Sequence, residues 1–195
     1  MADDGAVAEQ APPAGPPEKS KPSGARALIE WVAILLGAVL VAFLVKTFLL
    51  QAFYIPSASM EPTLRTDDRV LVNKLSYDFH DLHRGDIVVF KSPPGETNAT
   101  IKDLIKRVVA LPGETVEARD GHVLVDGKPI DESYLPKGVT TSQFEPRKIP
   151  PGDIWVMGDN RSNSKDSRYF GPVSESLIVG RAFIRVWPLS TLGFL

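Results

Sequence analysis

Hydrophobic and polar positions divide the chain into three regimes. From Leu28 to Leu50 the sequence LIEWVAILLGAVLVAFLVKTFLL is almost uninterrupted by polar residues. It lacks the polar face that a helix on a soluble core would show. At 1.5 Å per residue, a helix over this run reaches roughly 35 Å, enough to cross a bilayer core. Its charges, Glu30 and Lys46, lie near the ends, where long side chains reach the headgroups. Trp31, Phe48, Phe53 and Tyr54 fall near the two interfaces, as an aromatic belt would. A removable signal segment is the rival reading, because Ser57, Ala58 and Ser59 loosely resemble a cleavage site. The apolar run is well beyond the roughly 7–15 residues of such a segment, so an uncleaved anchor is expected over residues 25–52. Lys19, Lys21 and Arg26 precede it, and after Lys46 the next basic residues are Arg65 and Arg69. That asymmetry puts the N-terminus in the cytoplasm and the remainder outside.

After the apolar run the period changes to that of strands. RVLVNKL, GDIVVFK, IKRVVAL, TVEAR, HVLVDG, DIWVMG and RAFIRVW are short, rich in Val and Ile, and bounded by Gly, Pro, Asp or Asn. Asp120-Gly121 between TVEAR and HVLVD predicts a tight hairpin, and Asp126-Gly127 a further turn. Long amphipathic helical patterns are missing, and no repeat of fixed period stands out. The pattern predicts a mainly β domain over residues 53–195, barrel-like or sandwich-like. Ser133–Pro151 carries few such clues and reads as a mobile loop.

Composition alters this picture in three places. Residues 1–24 are rich in Ala, Pro and Gly and poor in large apolar groups, which predicts a disordered tail. The 195 residues contain no Cys, which excludes disulfides and thiolate metal sites. A net charge of −2 gives no sign of a nucleic-acid partner.

Candidate chemistry gathers in three stretches. IPSASMEPTL, Ile55–Leu64, offers Ser57 and Ser59 directly after the apolar run. A serine nucleophile needs a base. His80, His83 and His122 are the only histidines, in polar or turn-adjacent positions. His80 and His83, with Asp78, Asp81 or Asp86, could suit a metal by spacing, but a solvated loop is the better account of them. In DLIKRVVAL, strand alternation puts Leu104, Lys106, Val108 and Ala110 on one side. Burial of that side would strip water from the Lys106 ammonium and lower its proton affinity, making it a general base. Lys74 and Lys91 have similar neighbours but end their strands, where they reach water. GDNRSNSKDSRYFGP, Gly158–Pro172, is a dense polar loop, either solvated or a hub that orients a lysine.

Four blocks in order, PSASMEPTL, DRVLVNKL with RGDIVVF, IKRVVALPGE and GDNRSNSKDSRYFGPV, behind an apolar helix, resemble the bacterial type I signal peptidases, the membrane-bound Ser/Lys leader peptidases. The resemblance runs from about Phe53 to Pro188. It implies that Ser59 is the nucleophile and Lys106 the general base. By the same resemblance, Ser57 with the Ser59 amide would form the oxyanion hole, Ser164 would hydrogen-bond and orient the lysine, and Asp159, Arg107, Asp166 and Arg168 would brace the site. Phe53, Ile55, Pro56, Met60, Leu64, Leu104 and Ile105 line shallow pockets for small side chains at the first and third positions before the cut. No metal or cofactor is implied. The implied partners are preprotein signal peptides, the lipid bilayer of the bacterial cytoplasmic membrane and the protein-export translocon. Two other classes stay open at this point: a self-cleaving Ser/Lys repressor, and a non-catalytic anchored β-domain for binding or envelope assembly.

Overall fold

The structure, a computed structural model, describes residues 24–45, 49–94 and 102–195. Apart from Gly24, the expected tail lies outside these residues, as do Lys46 and Phe48. Helix α1 spans Gly24–Leu44, and none of its residues is buried against protein. Its 21 residues reach roughly 32 Å, and it is long and apolar enough to cross a membrane. The helix and the β region that follows form separate units.

The β region holds two antiparallel sheets. The strands are β1 (Leu50–Tyr54), β2 (Arg69–Asn73), β3 (Ile87–Lys91), β4 (Asp103–Ala110), β5 (Thr115–Arg119), β6 (His122–Val125), β7 (Lys128–Pro129), β8 (Phe144–Lys148), β9 (Asp153–Met157), β10 (Val173–Ser174), β11 (Ile178–Trp187) and β12 (Gly193–Phe194). The larger sheet runs β1-β2-β11-β3-β4-β9-β10, with β12 added to β11, and the smaller runs β7-β6-β5-β8. The mainly β class expected from the sequence is the class observed. Every strand read from the Val/Ile patterns is present.

Strand β4 ties the sheets together. It is buried continuously from Ile105 to Ala110, because both of its faces are covered. Its register with β3 sets Lys106 opposite Val88 and Arg107 opposite Ile87. Leu104 and Val108 join the cluster of Val88, Phe90, Ile154, Val156 and Val173. After a register irregularity between Val108 and Ala110, Val109 and Ala110 enter the core of the smaller sheet with Val116, Val123, Ile149 and Trp155. A third cluster, Ile55, Met60, Leu64, Val70, Val72, Ile87, Val89, Ile105 and Ala182, underlies the segment after β1.

The hairpin at Asp120-Gly121 has positive φ at both residues, 53° and 83°. This is the left-handed pair that a two-residue hairpin needs and that Asp-Gly supplies.

Two segments differ from the sequence reading. Leu50, Gln51 and Ala52, assigned above to the anchor, belong to strand β1 and pair with β2. An apolar run does not register the point where a helix gives way to a strand. The supposed loop Ser133–Pro151 contains strand β8, paired with β5 at the sheet edge. Its residues FEPRK are mostly exposed, so no alternation marks it, and Pro146 is tolerated on an edge. Phe144 secures this strand by stacking on Trp155 at 5.5 Å.

Candidate active site

The segment after β1 carries the serines. Ser57 is extended, and Ala58–Met60 form one 3₁₀ turn with Ser59 in the middle. Met60 and Leu64, both wholly buried, pin the turn to the apolar cluster beneath it. Their burial follows from the spacing of large apolar residues on either side of Ser59. The Met60 carbonyl accepts from the Leu64 amide at 2.9 Å, closing the next turn.

Lys106 reaches this turn from β4. Its Nζ donates to Ser59 Oγ at 2.7 Å and to the Ile105 carbonyl at 2.9 Å. The residue is only 3% exposed. Ser57 Oγ stands 3.4 Å from Ser59 Oγ, a long contact, and faces solvent. The structure thus brings Ser57, Ser59 and Lys106 into one group. A hydroxyl held by a buried amine is an arrangement able to lose a proton to that amine and attack a carbonyl.

The loop after β9 fixes the other side. Asn160 donates its amide to the Ser59 carbonyl and its Nδ2 to the Ala58 carbonyl, each at 3.1 Å. Asp159 forms a bidentate pair with Arg107, at 2.9 Å from Nε and 2.7 Å from Nη2, and also accepts from Thr63 Oγ1 at 2.6 Å. Arg107 Nη1 donates to the Gly85 carbonyl at 2.8 Å. Asp166, wholly buried, accepts from the Gly158 amide at 2.9 Å and forms a bidentate pair with Arg168 at 2.8 Å. Arg168 in turn donates to the Arg161 carbonyl at 2.8 Å. Asp159, Arg107, Asp166 and Arg168 thus bond within or against the loop whose Asn160 contacts the Ser59 turn.

Ser164 is a correction. Its hydroxyl is buried yet has no hydrogen-bond partner, so the expected bond to Lys106 is not made in this arrangement. Two donor directions of the amine are instead used by Ser59 and by Ile105. Ser164 Oγ lies against Gly158, where an added Cβ would overlap both it and the Ser59 carbonyl. Gly158 is therefore required for close approach of the two loops.

Among the expected pocket residues, Ile55, Met60, Leu64 and Ile105 are buried in one cluster against which Phe53 packs. Pro56 is exposed, and Leu104 is half-buried and packs with the separate Phe90 cluster. A cavity of about 520 Å³ lined by Lys74, Tyr77, His80, Leu111, Pro112 and Val179, among others, includes none of the site residues. Asp86 is engaged by Tyr77, Arg181 and the His83 amide. Among the described residues no group of three His, Asp or Glu side chains could hold a metal.

Sequence reasoning did not single out Gly158, Asn160, Thr63, Tyr134 or Arg161. Gly158, Asn160 and Arg161 lie in the dense polar loop that drew attention, and that density was their only signal. Tyr134 stacks on Arg107, with the guanidinium carbon 4.0 Å from the ring centre, yet stands in a stretch read only as a loop.

Comparison with known proteins gives a consistent result. The family model for signal peptidase, peptidase S26, matches residues 28–187. Signal peptidase I of Leptolyngbya laminosa is 42% identical over 187 residues, covering 94% of this chain and 91% of its own length. Probable signal peptidase I-2 of Synechocystis sp. is 43% identical over 159 residues, covering 81% of this chain and 72% of its own. A crystal structure of a signal peptidase I from Enterococcus faecalis V583 matches 52% of this chain and 97% of its own, at 33% identity and a TM-score of 0.45. On the extent of the family match and of these relatives, the chain belongs to the signal peptidases of peptidase family S26.

Proposed function

We propose that this chain is a membrane-anchored serine endopeptidase that removes signal peptides from exported preproteins, with Ser59 as nucleophile and Lys106 as general base. Signal peptide removal by an S26 peptidase follows from family membership. The dyad, the specificity and the anchoring are the finer reading. One observation carries the dyad: a 3% exposed amine lies 2.7 Å from a serine hydroxyl 47 residues away in sequence. Burial disfavours the charged form of an amine, so Lys106 accepts a proton at a lower pH than a free lysine.

Neutral Lys106 takes the Ser59 proton as Oγ attacks the scissile carbonyl. Negative charge collects on the carbonyl oxygen, and Ser57 Oγ with the Ser59 amide donates to it. Losing one such donor costs roughly 2.7–4 kcal/mol in comparable sites. The tetrahedral species collapses, Lys106 gives its proton to the leaving amine, and an ester to Ser59 remains. Water gives a proton to Lys106 as it attacks that ester, and Lys106 returns the proton to Ser59 Oγ as the acid leaves, restoring the neutral amine and the hydroxyl.

Cleavage after small residues, of the Ala-x-Ala kind, fits a site floored by the packed side chains of Ile55, Met60, Leu64 and Ile105. Helix α1 is the anchor, the N-terminus is cytoplasmic and the β domain lies outside the cytoplasmic membrane, alongside the export translocon. Confinement of enzyme and substrate to one bilayer raises their effective concentration for each other.

The test is hydrolysis of a preprotein carrying Ala-x-Ala before the cut, by full-length chain in detergent or lipid. Ser59→Ala and Lys106→Ala are expected to abolish turnover. Wild-type turnover in either variant would refute the dyad.

A further inference from the structure

Tyr134 belongs to the segment between β7 and β8, in the part of the chain that builds the smaller sheet, yet it touches two buried arginines beside the Ser59–Lys106 pair. Its ring covers the flat face of Arg107 at 4.0 Å. Its hydroxyl accepts from Arg161 Nη2 at 3.1 Å and donates to Glu132 Oε1 at 3.2 Å. The edges of Arg107 are taken by Asp159 and the Gly85 carbonyl, and the ring covers one of the two faces those in-plane bonds leave open. Arg161 is 3% exposed and is held by the Gly158 carbonyl at 3.1 Å, Thr141 Oγ1 at 2.8 Å and Glu132 at 2.6 Å. Arg107 directly follows Lys106, and Arg161 directly follows Asn160, whose backbone amide donates to the Ser59 carbonyl. One side chain therefore bears on both halves of the pair.

We propose that Tyr134 is a positioning residue for the reaction, clamping Arg107 and Arg161 so that the lysine strand and the serine turn keep their separation. The proposal rests on the Ser59–Lys106 reading. The segment is itself secured: the Thr141 amide donates to the Gly121 carbonyl at 2.9 Å, and Ile130 packs into the core of the smaller sheet. An aromatic ring attracts a guanidinium through its negative face, which an aliphatic side chain of equal bulk does not. Stacking on Arg107, which a phenyl ring preserves, is thus separable from simple filling of space.

The experiment compares Tyr134→Leu and Tyr134→Phe in the full-length chain, on a preprotein with an Ala-x-Ala site, alongside Ser59→Ala. Leu is smaller than Tyr but leaves less of a cavity than Tyr134→Ala would, and thermal melts check that the variant is folded. Misplacement of reacting groups by a fraction of an ångström lowers the chemical step, and an ångström costs about 100-fold. Tyr134→Leu, which loses both contacts, is expected to lower kcat by about 10- to 100-fold with KM within about twofold; Tyr134→Phe, which keeps the ring on Arg107 but loses the bond from Arg161, is expected to lie between, about 3- to 10-fold below wild type. Wild-type kcat in a folded Tyr134→Leu overturns the clamp. So does an equal loss in both variants, or a rise in KM at constant kcat. Turnover surviving in Ser59→Ala instead overturns the dyad, and the clamp with it.

Discussion

Lys106 Nζ donates to Ser59 Oγ at 2.7 Å from a position almost closed to water. The consequence is a pH–rate profile of defined sign. As the proposed general base the amine would act only when neutral, and burial makes its charged form costlier than in water. The rate of wild-type enzyme should therefore climb with pH through an ionisation well below the roughly 10.4 of a free lysine, then level off. Lys106→Arg should be inactive at every pH, because a guanidinium is not deprotonated in proteins. Initial rates on a preprotein across the pH range check both statements. An ascending limb centred near 10 would contradict the dry-amine mechanism.

Much of this arrangement was legible in the sequence. The Val/Ile runs gave the strands on either side of the site, because burial of β3 and β4 leaves few polar residues to confuse the pattern. The Asp-Gly hairpin was legible because only certain residues adopt positive φ cheaply. Strand β8 was not legible, since an edge strand exposed on both faces has no hydrophobic alternation to display. Nor was the start of β1, where apolar helix passes to apolar strand. Lys106 stood out as the one polar member of an apolar strand face, and Ser59 as a hydroxyl between residues that want burial. Long-range partners were beyond reach. Nothing local to Thr63 or Tyr134 marks them as neighbours of Asp159 and Arg107, because those contacts arise only when two sheets and two loops close together.

Gly158 tests how tightly those loops meet. A Cβ there would overlap the Ser164 hydroxyl and the Ser59 carbonyl, and the second is backbone that cannot rotate away. Gly158→Ala should displace the Ser59 turn from Lys106 and reduce kcat by up to about 100-fold. Pairing it with Ser164→Ala relieves only the overlap with the hydroxyl, so the double variant should remain well below wild type. Full activity in Gly158→Ala alone would mean that the turn shifts freely.

The Arg107–Asp159 pair is almost sealed, with side-chain exposures of 9% and 0%. Removing one partner of such a pair leaves the other charge without compensation, which costs about 3–5 kcal/mol. Asp159→Ala also removes the acceptor for Thr63. It should lower unfolding free energy by that amount in denaturant titrations, with a clear loss of activity in the folded fraction. Arg107→Lys should recover little, since an ammonium does not reproduce the two parallel bonds of the guanidinium fork. A midpoint within experimental error of wild type for Asp159→Ala would show the pair to be incidental.

Alkaline stability provides a measurement independent of activity. Burial pushes the Tyr134 hydroxyl up to about 12, with Arg161 opposing and Glu132 assisting. Burial also raises Tyr77, reinforced by the Asp86 carboxylate that its hydroxyl approaches. In the unfolded chain both hydroxyls release their protons near 10. Between that value and the raised one, the folded state holds more protons than the unfolded state, so unfolding free energy falls as pH rises. Below about pH 10 the two states are protonated alike and these groups contribute no slope. The wild-type chain should therefore lose stability faster between about pH 10 and about pH 11.5 than the double variant Tyr77→Phe with Tyr134→Phe, although the variant begins weaker near neutral pH for want of three hydrogen bonds. Urea unfolding in that window compares the two slopes, and parallel curves would mean that neither hydroxyl resists ionisation on folding.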